Sequence, residues 1–278
     1  MFINVFACVK DENGQFKKVV KKMIFDTHAH YDDDAFDGDR DKVIDDLIKS
    51  DVRKIVNVGA NLATSLNSIE LAHKYDFFYA AVGVHPDDAL EVNDEGISKI
   101  RAMCEEKKVV AVGEIGLDYY WNKDNAEIQK NAFIRQIELA KEMNLPIIVH
   151  SREAAKDTMD ILSEYAAGKV GGVVHCFSYS PEIALEAVKM GFYIGVGGVV
   201  TFKNAKKLKE TVEIIPLEKI VLETDCPYLA PTPFRGERNS SLFLEYVVEE
   251  IARLKGIDGN EVKEVTYQNA LEMYKIKD

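Results

Sequence analysis

Phe25-Asp26-Thr27-His28-Ala29-His30 follows directly on Met23-Ile24 and runs into the acidic turn Asp32-Asp33-Asp34. An apolar approach to such a stretch is the mark of a strand end. Side chains alternate along a strand, so His28 and His30 are expected to share a face, close enough to chelate one metal ion. A His-x-His pair alone could equally be two surface histidines in a loop. The rest of the chain decides against that. Of its six histidines, His28, His30, His85, His150 and His175 all end short apolar runs. The sixth, His73, falls inside Ser68-Ile69-Glu70-Leu71-Ala72-His73-Lys74 and reads as a solvated helix residue.

Outward from this stretch the pattern repeats. Runs rich in β-branched residues, Arg53 to Val58, Phe78 to Val84, Val109 to Gly113, Pro146 to Val149, Gly172 to Val174, Tyr193 to Val196 and Ile220 to Leu222, each precede a segment with helical period. Pro181 is well suited to a first helical turn, and Gly191 to the end of the same helix. With Ile24-Phe25-Asp26 as the first strand, this predicts eight βα units. Such alternation gives a parallel sheet, and eight units close it into a single-domain α/β fold, the (β/α)₈ TIM barrel. An open doubly wound sheet is the rival. No Gly-x-Gly-x-x-Gly follows the first strand and there is no P-loop, which disfavours it.

The totals agree with one soluble domain over residues 23–278. Hydrophobic content is 47%, charged content 29%, and the net charge is −12. That charge excludes an unspecific basic nucleic-acid binder, though not an enzyme whose metal ions supply positive charge locally. It predicts few phosphate contacts with a nucleic-acid substrate and steep salt dependence. Cys8, Cys104, Cys176 and Cys226 form no CxxC and read as reduced thiols of a cytoplasmic protein. No apolar run has the length of a membrane span, and no obligate protein partner is evident. Residues 1–22 read as an extension. They lack a basic leader and a small-residue cleavage site, so no signal peptide is expected. Asn13-Gly14 could turn a hairpin there, or translation could start at Met23.

In a TIM barrel the chemistry lies at the carboxyl ends of the strands. His28 and His30 follow strand one and His85 strand three. Glu114 follows strand four, His150 strand five and His175 strand six. Glu223 and Asp225 follow strand eight. All are expected on one face. Imidazoles mixed with carboxylates suit Zn, Mn, Fe, Co or Ni better than an all-oxygen site does. There are too many of them for one tetrahedral ion, so a structural site is disfavoured and a binuclear centre expected. Glu114, central in strand order, is the best bridge, between ions about 3.5–4 Å apart. The reaction class is hydrolysis. His85 and Arg152 are candidates for holding a scissile phosphate. Glu153 could instead pair with Arg152. Arg235 and Arg238 could clamp a backbone phosphate. Tyr119, Tyr120 and Trp121 could stack bases or pack beneath their loop. Cys176 and Cys226 read as small apolar fillers.

Several longer motifs make the reading specific: Phe25 to His30, Val82-Gly83-Val84-His85-Pro86, Gly113-Glu114-Ile115-Gly116-Leu117-Asp118, Pro146 to Arg152, His175-Cys176-Phe177-Ser178 and Glu223 to Pro231. In order and spacing, from Met23 nearly to the C-terminus, they resemble the TatD family of metal-dependent deoxyribonucleases. The resemblance implies a TIM-barrel metallohydrolase of the amidohydrolase type, usually a 3′→5′ exonuclease on DNA. It implies one ion held by His28, His30, Glu114 and Asp225 and a second by Glu114, His150 and His175. Asp225 would orient or deprotonate the attacking water. Two divalent ions (Mg²⁺, Mn²⁺ or Zn²⁺) and a single-stranded or frayed DNA substrate follow from it. The family's Arg-Gly-x-x-Asn segment is present as Arg235-Gly236-Glu237-Arg238-Asn239, with Ser241 where a proline is common. The alternative on this scaffold is an amide or ester hydrolase, such as a D-aminoacyl-tRNA deacylase. Many binuclear amidases use a lysine bridge, and no lysine lies on Val109 to Gly113.

Overall fold

The computed structural model describes residues 6–10, 16–20, 23–121, 123–165 and 167–277. Near the N-terminus β1 (Phe6–Lys10) pairs antiparallel with β2 (Phe16–Val20), Phe6 opposite Val20. The hairpin expectation is met in its strands. Asn13-Gly14 lies outside the described residues.

Eight parallel strands follow: β3 (Ile24–Ala29), β4 (Val52–Val58), β5 (Phe78–Val82), β6 (Val109–Asp118), β7 (Ile147–Arg152), β8 (Gly172–Val174), β9 (Phe192–Val196) and β10 (Ile220–Leu222). They hydrogen-bond in chain order from β3 to β10. The ring closes just beyond β10, where the His30 amide donates to the Cys226 carbonyl (2.8 Å) and the Asp225 amide to the His28 carbonyl (2.9 Å). The closing residues are therefore site residues. Helices α1 (Arg40–Lys49), α2 (Leu62–Lys74), α3 (Asp94–Cys104), α4 (Ala126–Met143), α5 (Ala155–Glu164), α6 (Pro181–Lys189) and α7 (Lys206–Ile214) alternate with the strands, and α8 (Leu244–Lys255) and α9 (Gly259–Met273) complete the shell. This is the expected (β/α)₈ barrel.

Two apolar layers hold it. The larger joins the helices to the outward faces of the strands, for example Ile44 and Leu47 of α1 with Ile24 and Ile55. The smaller takes one side of every barrel strand: Phe25, Val56, Ala81, Ala111, Ile148, Val173, Tyr193 and Val221. A closed barrel needs this, because alternate residues of each strand must fill its lumen. Tyr267 and Tyr274 join the same layer from the C-terminal segment, with rings 6.0 and 5.9 Å from that of Phe25. Pro181 opens α6, and Gly191 lies just past its end with φ +98°. Among the described residues, no helix is long and apolar enough to cross a membrane.

Three strands run past their expected carboxyl ends. β6 continues past Gly113 to Asp118, and β7 past Val149 to Arg152. Glu114 and His150 thus sit within strands rather than after them. Likewise His28 lies inside β3. The expected ends fall where each apolar run stops, at Asp26, Gly113 and Val149, whereas the ladder continues through the polar residues beyond. Gly116 belongs to the ladder, opposite His150, where its φ of +145° is open to glycine and a side chain would strike the His150 backbone.

Candidate metal centre

At the carboxyl mouth of the barrel the two oxygens of Glu114 face different neighbours. Oε1 is 2.7 Å from His150 Nδ1 and 2.9 Å from His175 Nε2. Oε2 is 3.5 Å from His28 Nε2 and 3.9 Å from His30 Nε2. Asp225 Oδ1 completes the second side, 3.6 Å from His28 Nε2 and 3.3 Å from His30 Nε2. The His28 and His30 nitrogens are themselves 3.1 Å apart, so the alternation read from the sequence places both imidazoles on one face. Donor atoms of His28, His30 and Asp225 form a group that could hold a cation, and so do those of His28, Glu114 and His175.

The tautomers fit such a role. His30 Nδ1 is 2.8 Å from the Val58 carbonyl, which can only accept, so Nδ1 carries a proton in either charge state and Nε2 is the nitrogen left for a cation to take. The Nδ1 atoms of His28 and His175 are buried with no hydrogen-bond partner among the described residues, while their Nε2 atoms face Glu114. His85 is the opposite case. Its Nδ1 accepts the Asp87 amide at 3.2 Å, which leaves the proton on Nε2, 3.8 Å from Glu114 Oε1. It is a donor at the rim.

Charge follows the geometry. Burial raises the Glu114 carboxyl, but the His175 charge and the His150 and His175 bonds outweigh it and hold it well below the usual carboxylate range. Asp225 is likewise held low against its burial by His30. Burial also works against protonated His30 and His150, yet their carboxylate partners hold both up at about 9. His28, fully buried beside His175, falls to about 4. Two carboxylates thus stay ionised among imidazoles.

The supports are local. Asp225 has φ +58°, a left-handed conformation that aspartate tolerates better than most residues. The buried Asp26 carboxylate accepts from the Thr224 amide (3.0 Å), the Thr224 hydroxyl (2.7 Å) and the Ser241 hydroxyl (2.6 Å). Asn239 donates to the Thr224 and Tyr228 carbonyls. Hence the Arg-Gly-x-x-Asn segment acts through its Asn, which braces the Asp225 turn. Glu223, pushed up by burial to about 7, accepts the Cys176 amide at 2.5 Å and stands 3.8 Å from His175 Nδ1.

The cleft above the site, about 820 Å³, is lined by His30, His85, Glu114, Asp118, His150 and Asp225 at its floor, with Arg152, Trp121 and Tyr228 at its rim. Arg152 makes no ion pair with Glu153; its guanidinium lies over the rings of Tyr120 (4.0 Å) and Trp121 (5.6 Å). Those rings are half to two-thirds exposed, whereas Tyr119 turns away to donate to Asp157. Arg238 is occupied by both oxygens of Asp39, at 2.7 Å each. Arg235 lies over Phe202 and does not line the cleft. Exposed His73 faces Glu106. Sequence reasoning passed over Asp118, buried at the end of β6 and 3.1 Å from His150 Nε2. Its signal was available: an acidic residue four positions after Glu114 keeps the same face if the strand continues.

A family model described as TatD related DNase matches residues 25–275. The chain belongs to the TatD family. A Bacillus subtilis member, named uncharacterized metal-dependent hydrolase YabD, is 47% identical over 91% of this chain and 100% of its own length. The Cronobacter sakazakii member named 3′-5′ ssDNA/RNA exonuclease TatD is 32% identical, covering 90% of this chain and 97% of its own. Among solved TatD structures, the Escherichia coli homologue YJJV superposes with a TM-score of 0.86 at 30% identity, over 91% of this chain and 98% of that one.

Proposed function

We propose that this metal-dependent hydrolase of the TatD family cleaves phosphodiester bonds, removing nucleotides from the 3′ end of single-stranded DNA at a binuclear centre. The division of Glu114 between two sets of imidazoles carries the reading. His28, His30, Asp225 and Oε2 of Glu114 would hold one divalent ion; His150, His175 and Oε1 would hold the other. Mg²⁺, Mn²⁺ and Zn²⁺ are the candidates, the nitrogen-rich donor set favouring the last two. Two such ions supply a hydroxide near neutral pH and stabilise charge on the phosphoryl oxygens.

The chain's own residues do the rest. Asp225, at the mouth and kept ionised, orients the attacking water and takes its proton. His85 offers Nε2–H, and Arg152 its guanidinium, to the phosphate. Trp121 and Tyr228 give a terminal base aromatic faces at the rim. The exonuclease name of the C. sakazakii relative supports this substrate class. We place the protein in the cytoplasm on its thiols, since Cys104, Cys176 and Cys226 are all free.

A second reading, a deacylase of D-aminoacyl-tRNA, draws support from Asp32, Asp33, Asp34 and Asp87, which line the same cleft and suit an ammonium group. The discriminating experiment is hydrolysis of a 3′-labelled single-stranded oligonucleotide by metal-stripped protein, with Mg²⁺, Mn²⁺ or Zn²⁺ restored and D-aminoacyl-tRNA assayed in parallel. Expected is metal-dependent release of 3′ nucleotides. In Glu114→Ala it should fall by more than the roughly 100-fold that losing an outer partner of a ligand costs. Intact DNA alongside deacylated tRNA would transfer the assignment to the second reading.

A further inference from the structure

Asp118 makes two sets of contacts at the mouth. Oδ2 lies 3.1 Å from His150 Nε2. Oδ1 accepts the amides of Tyr120 (2.9 Å) and Trp121 (3.1 Å). Its own backbone is clamped by the buried Gln129 of α4, whose side chain accepts the Asp118 amide at 2.9 Å and donates to its carbonyl at 3.0 Å. The carboxylate is therefore fixed from behind. In front it touches the ring that faces Glu114 and the turn that carries the rings under Arg152.

His150 lies between two carboxylates, Nδ1 toward Glu114 and Nε2 toward Asp118. We propose that Asp118 is a positioning residue: by accepting from His150 Nε2 it holds a proton on that nitrogen, so that Nδ1 is the nitrogen turned to the metal centre and released to an ion there, and it ties the Tyr120–Trp121 platform to that ring. This rests on His150 being a ligand, as proposed above. A ligating imidazole commonly gives its other N–H to a carboxylate, which sets tautomer and orientation.

The competing arrangement is a third cation between His85, Asp118 and His150, whose donor atoms lie within 4.8 Å of one another. His85 speaks against it. The Asp87 amide takes its Nδ1 lone pair, so Nε2 presents a proton where a cation would need an electron pair. Two nitrogens of one imidazole would also have to serve separate ions.

Asp118→Asn tests the assignment with the shape kept. The backbone amides of Tyr120 and Trp121 require an acceptor, so the amide oxygen faces them and the NH₂ faces His150. Nε2 must then accept, which moves the proton to Nδ1. With Zn²⁺ as probe, calorimetric titration of metal-stripped protein should show one of two sites losing 10- to 100-fold in affinity, with the melting temperature unchanged. Nitrogen-15 spectra of the Zn²⁺-loaded wild type should show a proton on His150 Nε2, a readout that needs no variant to fold. An unprotonated Nε2, a third Zn²⁺ lost in Asp118→Asn, or unaltered affinities in a folded variant would each overturn the proposal. A wild type that binds a single Zn²⁺ yet keeps the Nε2 proton would instead defeat the binuclear reading and leave Asp118 in its place.

Discussion

Glu114 and Arg152 mark the two ends of the site. Glu114 is buried, ionised and divided between imidazole pairs. Arg152 is at the rim, a cation resting on aromatic faces at a distance that favours it. A guanidinium held this way keeps its N–H groups for a ligand while its orientation is fixed. Replacing Arg152 with Ala should reduce kcat/KM on an oligonucleotide by about 10- to 100-fold, the ~1.5–3 kcal/mol of a hydrogen bond to a charged group. Lys at 152 should restore only part, because an ammonium lacks the planar fork. Steady-state rates at low substrate decide it: an Ala variant equal to wild type removes Arg152 from substrate binding. Most of these residues were legible in the sequence, because a histidine ending an apolar run is conspicuous. Asp118 was legible only if the strand was carried past Gly113, where the apolar run stops. The stacking of Arg152 was not legible, as Glu153 next to it suggested a simpler pairing.

At the scale of elements, α4 steadies the mouth twice. Gln129 grips Asp118, and Gln136, two turns on, accepts the Val84 amide at 2.8 Å and donates to the Val84 carbonyl at 3.0 Å beside His85. Both glutamines are buried, and both satisfy strand-end backbone that the ladder leaves unpaired. Helical period showed α4 in the sequence but gave no hint of these clamps, which depend on what lies opposite. On the outer shell α7 and α8 are joined by Glu250, 2.8 Å from both Lys209 and Arg253. The Arg253 bond, with that of Lys209 and against a little burial, lowers its carboxyl to about 2. The folded value lies below the unfolded one, so this stability is present above pH ~4.5 and is lost as pH falls toward 2. The site is near the surface, and its worth is under about 1 kcal/mol. Glu250→Gln should be slightly less stable than wild type at pH 7, with the gap narrowing below pH ~4.5 and closing only at about pH 2. Urea midpoints at the two pH values measure it, and a gap that persists in acid would contradict the assignment.

Over the whole molecule, closing the barrel and building the site are one event. The hydrogen bonds that join β3 to the segment after β10 run through His28, His30, Asp225 and Cys226, and Asp26 fastens Thr224 and Ser241 to the same seam. Strand count and order were readable from alternation alone. The seam was not, because it depends on non-local pairing between chain positions nearly two hundred residues apart. The same arrangement concentrates charge: against a net charge of −12 for the chain, His30, His85, His150 and the Arg152 guanidinium gather with the carboxylates at one mouth. A Glu114 bridge between two ions at that mouth has a direct consequence for metal content. Metal-stripped wild type and Glu114→Ala, reconstituted with Mn²⁺ and freed of excess, should be compared for bound metal per chain by elemental analysis, with circular dichroism confirming the fold. Two ions are expected in the wild type and at most one in the variant. One ion in both, or two in both, would contradict the bridge.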